Sequence, residues 1–373
     1  MNFNEMLHEQ RGKLLAAMPT GAKTVLSAGC SGGWYFDWFA TCYGSVENHI
    51  GVELYSPKPE DLPTNVSWIA NSVAKMTGVA DSTVDLVFSG QNVEHLPESD
   101  LLGFLLEANR VLRSGGTLVI DSPNRDITLP FGWAQPEHTL EFSVMEMERL
   151  LRLAGVEVTT KKGIWHCASA DSIDDQSLDI NPNEFNYRIR AALDAPTESF
   201  IWWIEAKKVN PCQADALERA IHQIYVTMLP PFVARRFRHQ IGTLTASPDG
   251  ELSVHAAEQG FALYGPYIPL VPGTYEFQFT INIEEVLGAG KLKFDITSAF
   301  GQVVHAEIEL NLHAVPQNEW ISVTLNAKLE QYTTAVEARV LSSAATYRIL
   351  PKASIRRVTA EKSTSREKSV IQA

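Results

Sequence analysis

Three glycines, Gly29, Gly32 and Gly33, close the stretch Thr24-Val-Leu-Ser-Ala-Gly-Cys-Ser-Gly-Gly33, and some twenty residues later Glu53 ends the next apolar run. A strand that runs into a glycine turn and then a helix offers bare backbone N–H groups to a nucleotide-like ligand. A carboxylate at the end of the following strand can accept hydrogen bonds from both hydroxyls of a ribose. Each feature alone is common, and Glu53 alone could be a solvated strand end. In this register the two point to one ligand.

Other residues extend the constellation. Asn71 follows a third apolar run and could meet an adenine edge through its amide. The run Val84-Asp-Leu-Val-Phe-Ser-Gly90 opens into Gln91-Asn-Val-Glu-His95, a loop at the carboxyl end of a strand, where open α/β sheets place ligands. His95 and His138 are the candidate general bases, because an imidazole near its ordinary pKa of about 6.5 suits proton removal near neutrality. His95 could instead cap the helix that follows, and the proton could pass to water, Glu94, Asp121 or Glu137. The cluster Trp34, Tyr35, Phe36, Trp38 and Phe39 reads mainly as helix packing, with Tyr35, nearest the glycine turn, as the cofactor contact. Trp133 has no obvious core face to fill and is a candidate substrate contact. No compact carboxylate–histidine set demands a metal.

The elements that must position these groups follow from the hydropathy pattern. Residues 1–23 read as a helix, with Leu7, Leu14, Leu15 and Met18 on one side. Strands are expected at Thr24–Gly29, His49–Leu54, Asn65–Ala70, Val84–Gly90, Gly116–Ser122, Val156–Trp165 and Ser199–Ala206. Helices fall at Gly33–Tyr43, Leu101–Leu112 and Ser143–Ala154, the last with a Ser N-cap and a Gly155 stop. Such alternation predicts a mostly parallel sheet covered on both faces. Residues 169–198 are polar and read as an insertion over the sheet edge. Residues 211–245 read as a helical connector broken at Pro230-Pro231. Its Arg235-Arg-Phe-Arg238 run could grip a phosphate but fits better as a solvated face.

The bulk composition narrows the class. The chain has 373 residues, 45% of them hydrophobic and 20% charged, as a soluble globular protein of two domains would. A net charge of −13 argues against nucleic acid and against an anionic membrane surface as partner. No apolar run reaches the roughly 20 residues that span a bilayer, and the N-terminus has no secretory pattern. The four cysteines are scattered, without a CxxC, so neither zinc nor disulfides are expected and a cytoplasmic location fits.

Taken in order, the glycine motif, Glu53, Asp85-Leu-Val-Phe, Glu94-His-Leu96, Asn109-Arg-Val-Leu-Arg-Ser-Gly-Gly-Thr-Leu-Val-Ile120, Pro136-Glu-His138 and Leu151-Arg-Leu-Ala-Gly-Val-Glu-Val158 resemble the successive motifs of class I S-adenosylmethionine-dependent methyltransferases. The resemblance covers residues 1–210. It implies a Rossmann-like, seven-stranded sheet with an antiparallel last strand at Phe200–Ile204. It implies S-adenosyl-L-methionine as cofactor, contacted by Ser27, Gly29, Ser31, Gly33, Tyr35, Glu53, Asn71 and Ser89. It places Trp133, Glu94 and Asn124 on the substrate side. Three positions depart from the family: Ser27 replaces an acid, Ser31 replaces the middle glycine, and Asn71 replaces an acid. Ser31 fits if its φ is negative; Ser27 and Asn71 keep their hydrogen-bonding capacity.

After about residue 245 the pattern changes to period two. In Tyr275-Glu-Phe-Gln-Phe-Thr-Ile-Asn-Ile283 every odd residue is apolar and every even one polar. Further strand-like runs are Glu251–Ala257, Lys291–Thr297, Val303–Asn311, Trp320–Ala327, Val336–Leu341 and Ala353–Val358, separated by turn signals that include Pro248-Asp-Gly250, Val271-Pro-Gly273 and Gly288-Ala-Gly290. This predicts an all-β antiparallel sandwich, jelly-roll-like, over residues 246–360, with a disordered tail over 361–373. The stretch Gly260 to Tyr275 resembles the start of carbohydrate-binding-module-like sandwiches attached to enzymes of bacterial surface-polysaccharide assembly. Tyr264, Tyr267 and Trp320 are then sugar contacts, or interior packing.

Together these expectations describe an O-methyltransferase acting on a sugar hydroxyl of a surface polysaccharide or glycolipid-linked glycan, with a chain-terminating cap as one consequence. Association with polysaccharide-assembly enzymes, or with a second copy through the sandwich, would fit. The alternatives are a small-metabolite methyltransferase with a structural sandwich and a non-catalytic scaffold.

Overall fold

The structure is a computed structural model that describes residues 2–131, 133, 135, 137–167, 180–234, 237–245, 250–270, 272–358 and 370–372. The chain divides into two compact units. One is Met1–Trp133 with Leu140–Tyr225; the other is Ala134–Thr139 with Val226–Ala373.

The first unit opens with helix α1 (Phe3–Ala16), started by an Asn2–Glu5 capping box. Strand β1 (Thr24–Ala28) leads to α2 (Trp34–Tyr43), then β2 (Asn48–Glu53), β3 (Val66–Ala70) and β4 (Val84–Gly90). Helix α3 (Glu98–Val111) and β5 (Leu112–Pro123) follow, then the single turn α4 (Arg125–Thr128). Helix α5 (Val144–Leu153) is capped by Ser143 and Glu146 and ends at Gly155, whose φ of 81° only glycine adopts freely. Strand β6 (Val156–His166), α6 (Pro182–Asp194) and β7 (Ser199–Lys208) complete the layer.

The seven strands lie in the order β3-β2-β1-β4-β5-β7-β6. β1 to β5 pair in parallel, and β7 runs antiparallel to both β5 and β6. This is the sheet expected from the sequence, antiparallel strand included. Neighbouring residues along the central strands are buried together: Val25 with Leu26, Val87 with Phe88, Val119 with Ile120. Both faces are therefore covered, as parallel sheets require. One cluster joins Leu15, Phe36, Phe39, Phe88 and Trp203; another joins Phe3, Met6, Trp165 and Phe200. The polar insertion is in part helical. α6 fastens to the edge strand β6 through Arg188, which donates to the His166 carbonyl at 3.1 Å and lies over the Trp165 ring.

Helix α7 (Ala214–Ala234) runs through Pro230 and Pro231 rather than breaking there. Each proline lacks the N–H that would bond four residues back, so the helix continues at the loss of two backbone bonds. The division between the units lies inside this helix, at Tyr225. Arg235, Arg236, Pro248, residues 169–179 and most of the tail lie outside the described residues.

The second unit is rich in strands: β8 (Thr243–Leu244), β9 (Leu252–Val254), β10 (Gly260–Leu263), β11 (Pro266–Leu270), β12 (Gly273–Ser298), β13 (Val303–Asn311), β14 (Trp320–Leu329), β15 (Thr333–Arg357) and β16 (Val370–Gln372). They form one hydrogen-bonded sheet in the order β16-β14-β12-β15-β9-β8, with β10 and β11 on β15 and β13 on β12. Every pairing is antiparallel except β14 with β16.

Three expectations change here. Gly288-Ala-Gly290 is not a turn: β12 continues through it, and a register shift against β15 between Val286 and Lys291 absorbs the extra residues. The runs Val336–Leu341 and Ala353–Val358 are likewise parts of a single strand, β15. The tail is not wholly irregular, because residues 370–372 add to the edge of β14; Val and Ile are strong strand formers. The period-two reading itself holds. Tyr275, Phe277, Phe279, Ile281 and Ile283 are all buried.

Candidate functional site

The sheet order reverses direction between β1 and β4, and the glycine loop and the Gln91 loop leave the carboxyl ends of those two strands. Strained backbone gathers here. Gly29, Ser31 and Gly32 have φ of 77°, 40° and 126°, and Gln91 has 53°. Such strain is held at ligand sites by the structure around it. Ser31 thus departs from the expected negative φ. Its backbone N–H is turned toward Glu53 and donates to Oε2 at 3.0 Å, which offsets the left-handed conformation. A Cβ on Gly29 would stand 2.7 Å from the Asn92 amide oxygen, so this position admits no side chain. Among the described residues no side chain caps α2 at Gly33; the Tyr35 and Phe36 N–H groups donate to the Gly32 and Gly33 carbonyls at 3.3 and 3.2 Å.

Glu53 is buried at the end of β2. Its Oε1 accepts the backbone N–H groups of Tyr55 and Ser56 at 2.9 and 3.2 Å, while Oε2 takes only that of Ser31. A carboxylate oxygen accepts about two bonds, so Oε2 keeps capacity for one more donor.

Around this loop the structure assigns several expected residues to internal bonds. Ser27 is fully buried and shares a 2.8 Å hydrogen bond with His49 Nε2. Burial lowers His49 to about 4, so the imidazole is neutral. Tyr35 is buried, with its hydroxyl beside the Ser27 side chain. Burial pushes that hydroxyl well up, which keeps it a donor. Asn71 spends its amide within its own loop, donating to Thr77 at 3.0 Å and accepting from Ser72 N–H at 2.8 Å. Ser89 accepts from the Asn92 amide at 3.0 Å.

On the substrate side the structure gives one clear correction. Asn124 is fully buried; its amide faces the Thr197 and Ser199 carbonyls at 3.0 and 3.2 Å, and its oxygen takes Asp126 N–H as the cap of α4. Asn124 is a clasp between chain segments, with nothing left for a substrate. Trp133 does have a core face: its ring meets Phe200 edge-on at 5.0 Å. Glu94 and His95 sit together in the helical turn Val93–His95 after β4, Glu94 fully buried and His95 half-buried. His138 is buried, in the short segment Ala134–Thr139 that groups with the second unit. Pro136 beside it is outside the described residues.

Sequence reasoning missed the contribution of α1. Arg11 reaches from α1 to Asp121 at the carboxyl end of β5, with Nε and Nη2 at 2.9 and 3.1 Å from the two carboxylate oxygens. Burial alone would lower Arg11, and the adjoining Asp121 carboxylate more than offsets it. Gln91 donates to the same carboxylate at 2.6 Å. Arg11 passes over Gly90, where a Cβ would lie 2.1 Å from Nη2. The one sequence signal was Gly12 on a helix, which lets α1 approach the Cys42 and Trp38 side chains of α2.

In the second unit, Tyr264 pairs by its backbone with Arg238 and Tyr267 is half-buried. Burial, and then the adjacent buried Glu337, push the Tyr267 hydroxyl up to about 12. Trp320 is 41% exposed.

Residues 26–120, the stretch that carries this loop, the acid and the Gln91 turn, match the family described as a methyltransferase domain. That stretch of the first unit is similar to a methyltransferase domain. A protein of Mycolicibacterium smegmatis named "Probable S-adenosylmethionine-dependent methyltransferase" is 39% identical over 158 residues, which are 41% of this chain and 59% of that protein. A similarly named protein of Mycobacterium tuberculosis is 32% identical over 155 residues, 39% of this chain and 53% of that one. The chain therefore spans little more than half the length of these curated relatives. A solved S-adenosylmethionine-dependent methyltransferase from Archaeoglobus fulgidus has a TM-score of 0.39 and 20% identity, covering 55% of this chain and 94% of that one. A likeness of that size carries no argument.

Both curated relatives are named for S-adenosylmethionine. The residues present fit that group. The first unit has a glycine loop with no room for a side chain at Gly29, and a buried acid with acceptor capacity left. The buried Tyr35 hydroxyl, beside Ser27, adds a donor.

Proposed function

We propose that the protein is an S-adenosylmethionine-dependent O-methyltransferase that acts on a sugar hydroxyl of a bacterial surface polysaccharide or glycolipid-linked glycan. The observation that carries the donor half is the Ser31–Glu53 bond, which joins the glycine loop to the ribose-binding acid at the switch point of the sheet. Glu53 would hold the ribose hydroxyls, and the amides of the glycine loop and of the start of α2 would line the remainder. Bound there, the cofactor supplies an electrophilic methyl group. The chain's own task is to align the acceptor hydroxyl and to take its proton. His95, directly after the buried Glu94 at the carboxyl end of β4, is the candidate base on this unit, and His138 is the second candidate.

Support for the substrate half comes from the second unit. We read it as a sandwich. Along β12, the buried apolar residues of the first part are odd-numbered, up to Ile283, whereas Leu292, Phe294 and Ile296 of the second part are even-numbered. The Phe279 and Phe294 rings, one from each part, meet at 5.2 Å. The outer neighbour of β12 changes from β14 to β13 between the parts. A strand that bends to face itself in this way builds two packed layers. Small β-sandwiches with half-exposed aromatic and polar groups suit hydroxyl-rich ligands.

Calorimetric titration with S-adenosylhomocysteine tests the donor half. Micromolar binding that is lost in Glu53→Ala is expected; no binding at high micromolar ligand overturns it. Transfer of a labelled methyl group to oligosaccharide acceptors tests the substrate half. Labelling of small metabolites and of no glycan would overturn that half.

A further inference from the structure

Four residues of the second unit lie in one cross-strand row. Trp320 of β14 is registered against Asn282 of β12, Asn282 against Arg348 of β15, and Arg348 against Ser253 of β9. The apolar residues that flank them, Ile281, Ile283, Ile321, Tyr347, Ile349, Leu252 and Val254, are buried on the opposite face. The row therefore stands on the outer face of the sheet.

The Arg348 guanidinium arches back along this row to lie 5.5 Å from the centre of the Trp320 ring. It is held there by two acids. Nε donates to Glu284 at 2.7 Å and Nη1 to Glu251 at 2.9 Å. Beneath this arch Asn282 is only 4% exposed, and its side-chain oxygen has no hydrogen-bond partner among the described residues. A buried amide oxygen left unpaired is costly, and in a native structure it asks for an explanation. Trp320 meanwhile keeps 41% of its surface open.

We infer that this row is a binding subsite for a neutral saccharide. The chemistry matches on each count. A half-open indole offers an apolar face to the C–H side of a pyranose. Two carboxylates and a buried amide oxygen accept from hydroxyls, and the guanidinium donates to them. One cation against two carboxylates leaves the site net negative, on a chain of net charge −13, which disfavours phosphate, sulfate and uronate ligands. The inference deepens the glycan reading of the proposed function and rests on it for biological context. It gives the second unit a place to hold the polymer.

The test uses the full-length protein and saturation-transfer NMR. The probes are neutral oligosaccharides of two to six hexose or deoxyhexose units, with a polyuronate fragment and inorganic phosphate as anionic probes. At least one neutral saccharide should bind, and Trp320→Ala should weaken it at least tenfold, with an unchanged melting temperature. Trp320→Leu, which keeps apolar bulk on the strand, replaces the alanine variant if that one melts early. Asn282→Ala should weaken binding several-fold. Glu53→Ala should bind the saccharide as the parent does while losing S-adenosylhomocysteine. A protein that binds S-adenosylhomocysteine but no neutral saccharide overturns the subsite and leaves the donor half of the proposed function standing. Saccharide binding unaffected by either Trp320 variant, or preference for the anionic probes, also overturns it.

Discussion

The backbone N–H of Ser31, held at a φ of 40°, points at the Glu53 carboxylate 3.0 Å away. Loop and acid therefore behave as one part: the acid proposed to hold the ribose also holds the strained loop in shape. Glu53→Ala should lose both effects. Hydrogen bonds to a charged group are worth roughly 1.5–3 kcal/mol each, so S-adenosylhomocysteine affinity should fall ten- to a hundredfold or more by calorimetry. Ser31→Gly relieves the left-handed strain and keeps the N–H, so its affinity should stay within a few-fold. A large loss in Ser31→Gly would count against this picture.

Arg11 and Asp121 form a buried, two-pronged ion pair above Gly90. Removing one member of a buried pair leaves an uncompensated charge, at a penalty of about 3–5 kcal/mol. Arg11→Ala should lower stability by that order in urea unfolding. Arg11→Met with Asp121→Leu together should cost much less, because no charge is stranded. Gly90→Ala should also destabilise, since its Cβ would lie 2.1 Å from Arg11 Nη2. Equal stabilities for the single and double variants would refute the account.

His49 should make stability depend on pH. Burial lowers it from 6.5 to about 4. As pH falls below 6.5, the unfolded chain takes up the proton before the folded one does, so folding is disfavoured progressively. The stabilisation is complete above pH 6.5 and is lost as pH falls toward 4, a change of roughly 3 kcal/mol at ~1.4 kcal/mol per unit. Urea midpoints between pH 7.5 and 4.5 should show this slope, and His49→Gln should flatten it. A slope unchanged in His49→Gln would assign it to other groups.

Asn124 distinguishes a clasp from a substrate contact. Asn124→Ala removes bonds to the Thr197 and Ser199 carbonyls and strands buried acceptors, so stability should drop by about 2–4 kcal/mol. Methyl transfer by the molecules still folded should be nearly unchanged. A large fall in kcat with the melting temperature preserved would restore the substrate role.

The parallel layer was legible because its signals are local. Val25 and Leu26 before the glycines, the Ser143–Glu146 cap and the Gly155 stop each act within a few residues. The place of Glu53 at the end of β2 was legible from its spacing. Arg11 was not, because on a polar helix it looks like any solvated arginine, and only its bond across 110 positions to Asp121 reveals it. Asn124 and Trp133 were misleading for the same reason: their partners, near Ser199 and Phe200, are remote in sequence. In the second unit the alternation showed which residues face inward, while Gly288 and Gly290 read as a turn. Glycine marks a bulge and a turn with the same letter, and only pairing with β15 tells them apart.

The two long ribbons, β12 and β15, each thread both parts of the second unit and pair with one another along most of their length. Neither part owns a complete set of strands. Unzipping at one end must pull on the other, so this unit has no stable fragment to fall back on. A single proteolytic nick near Gly288 would undo it as a whole.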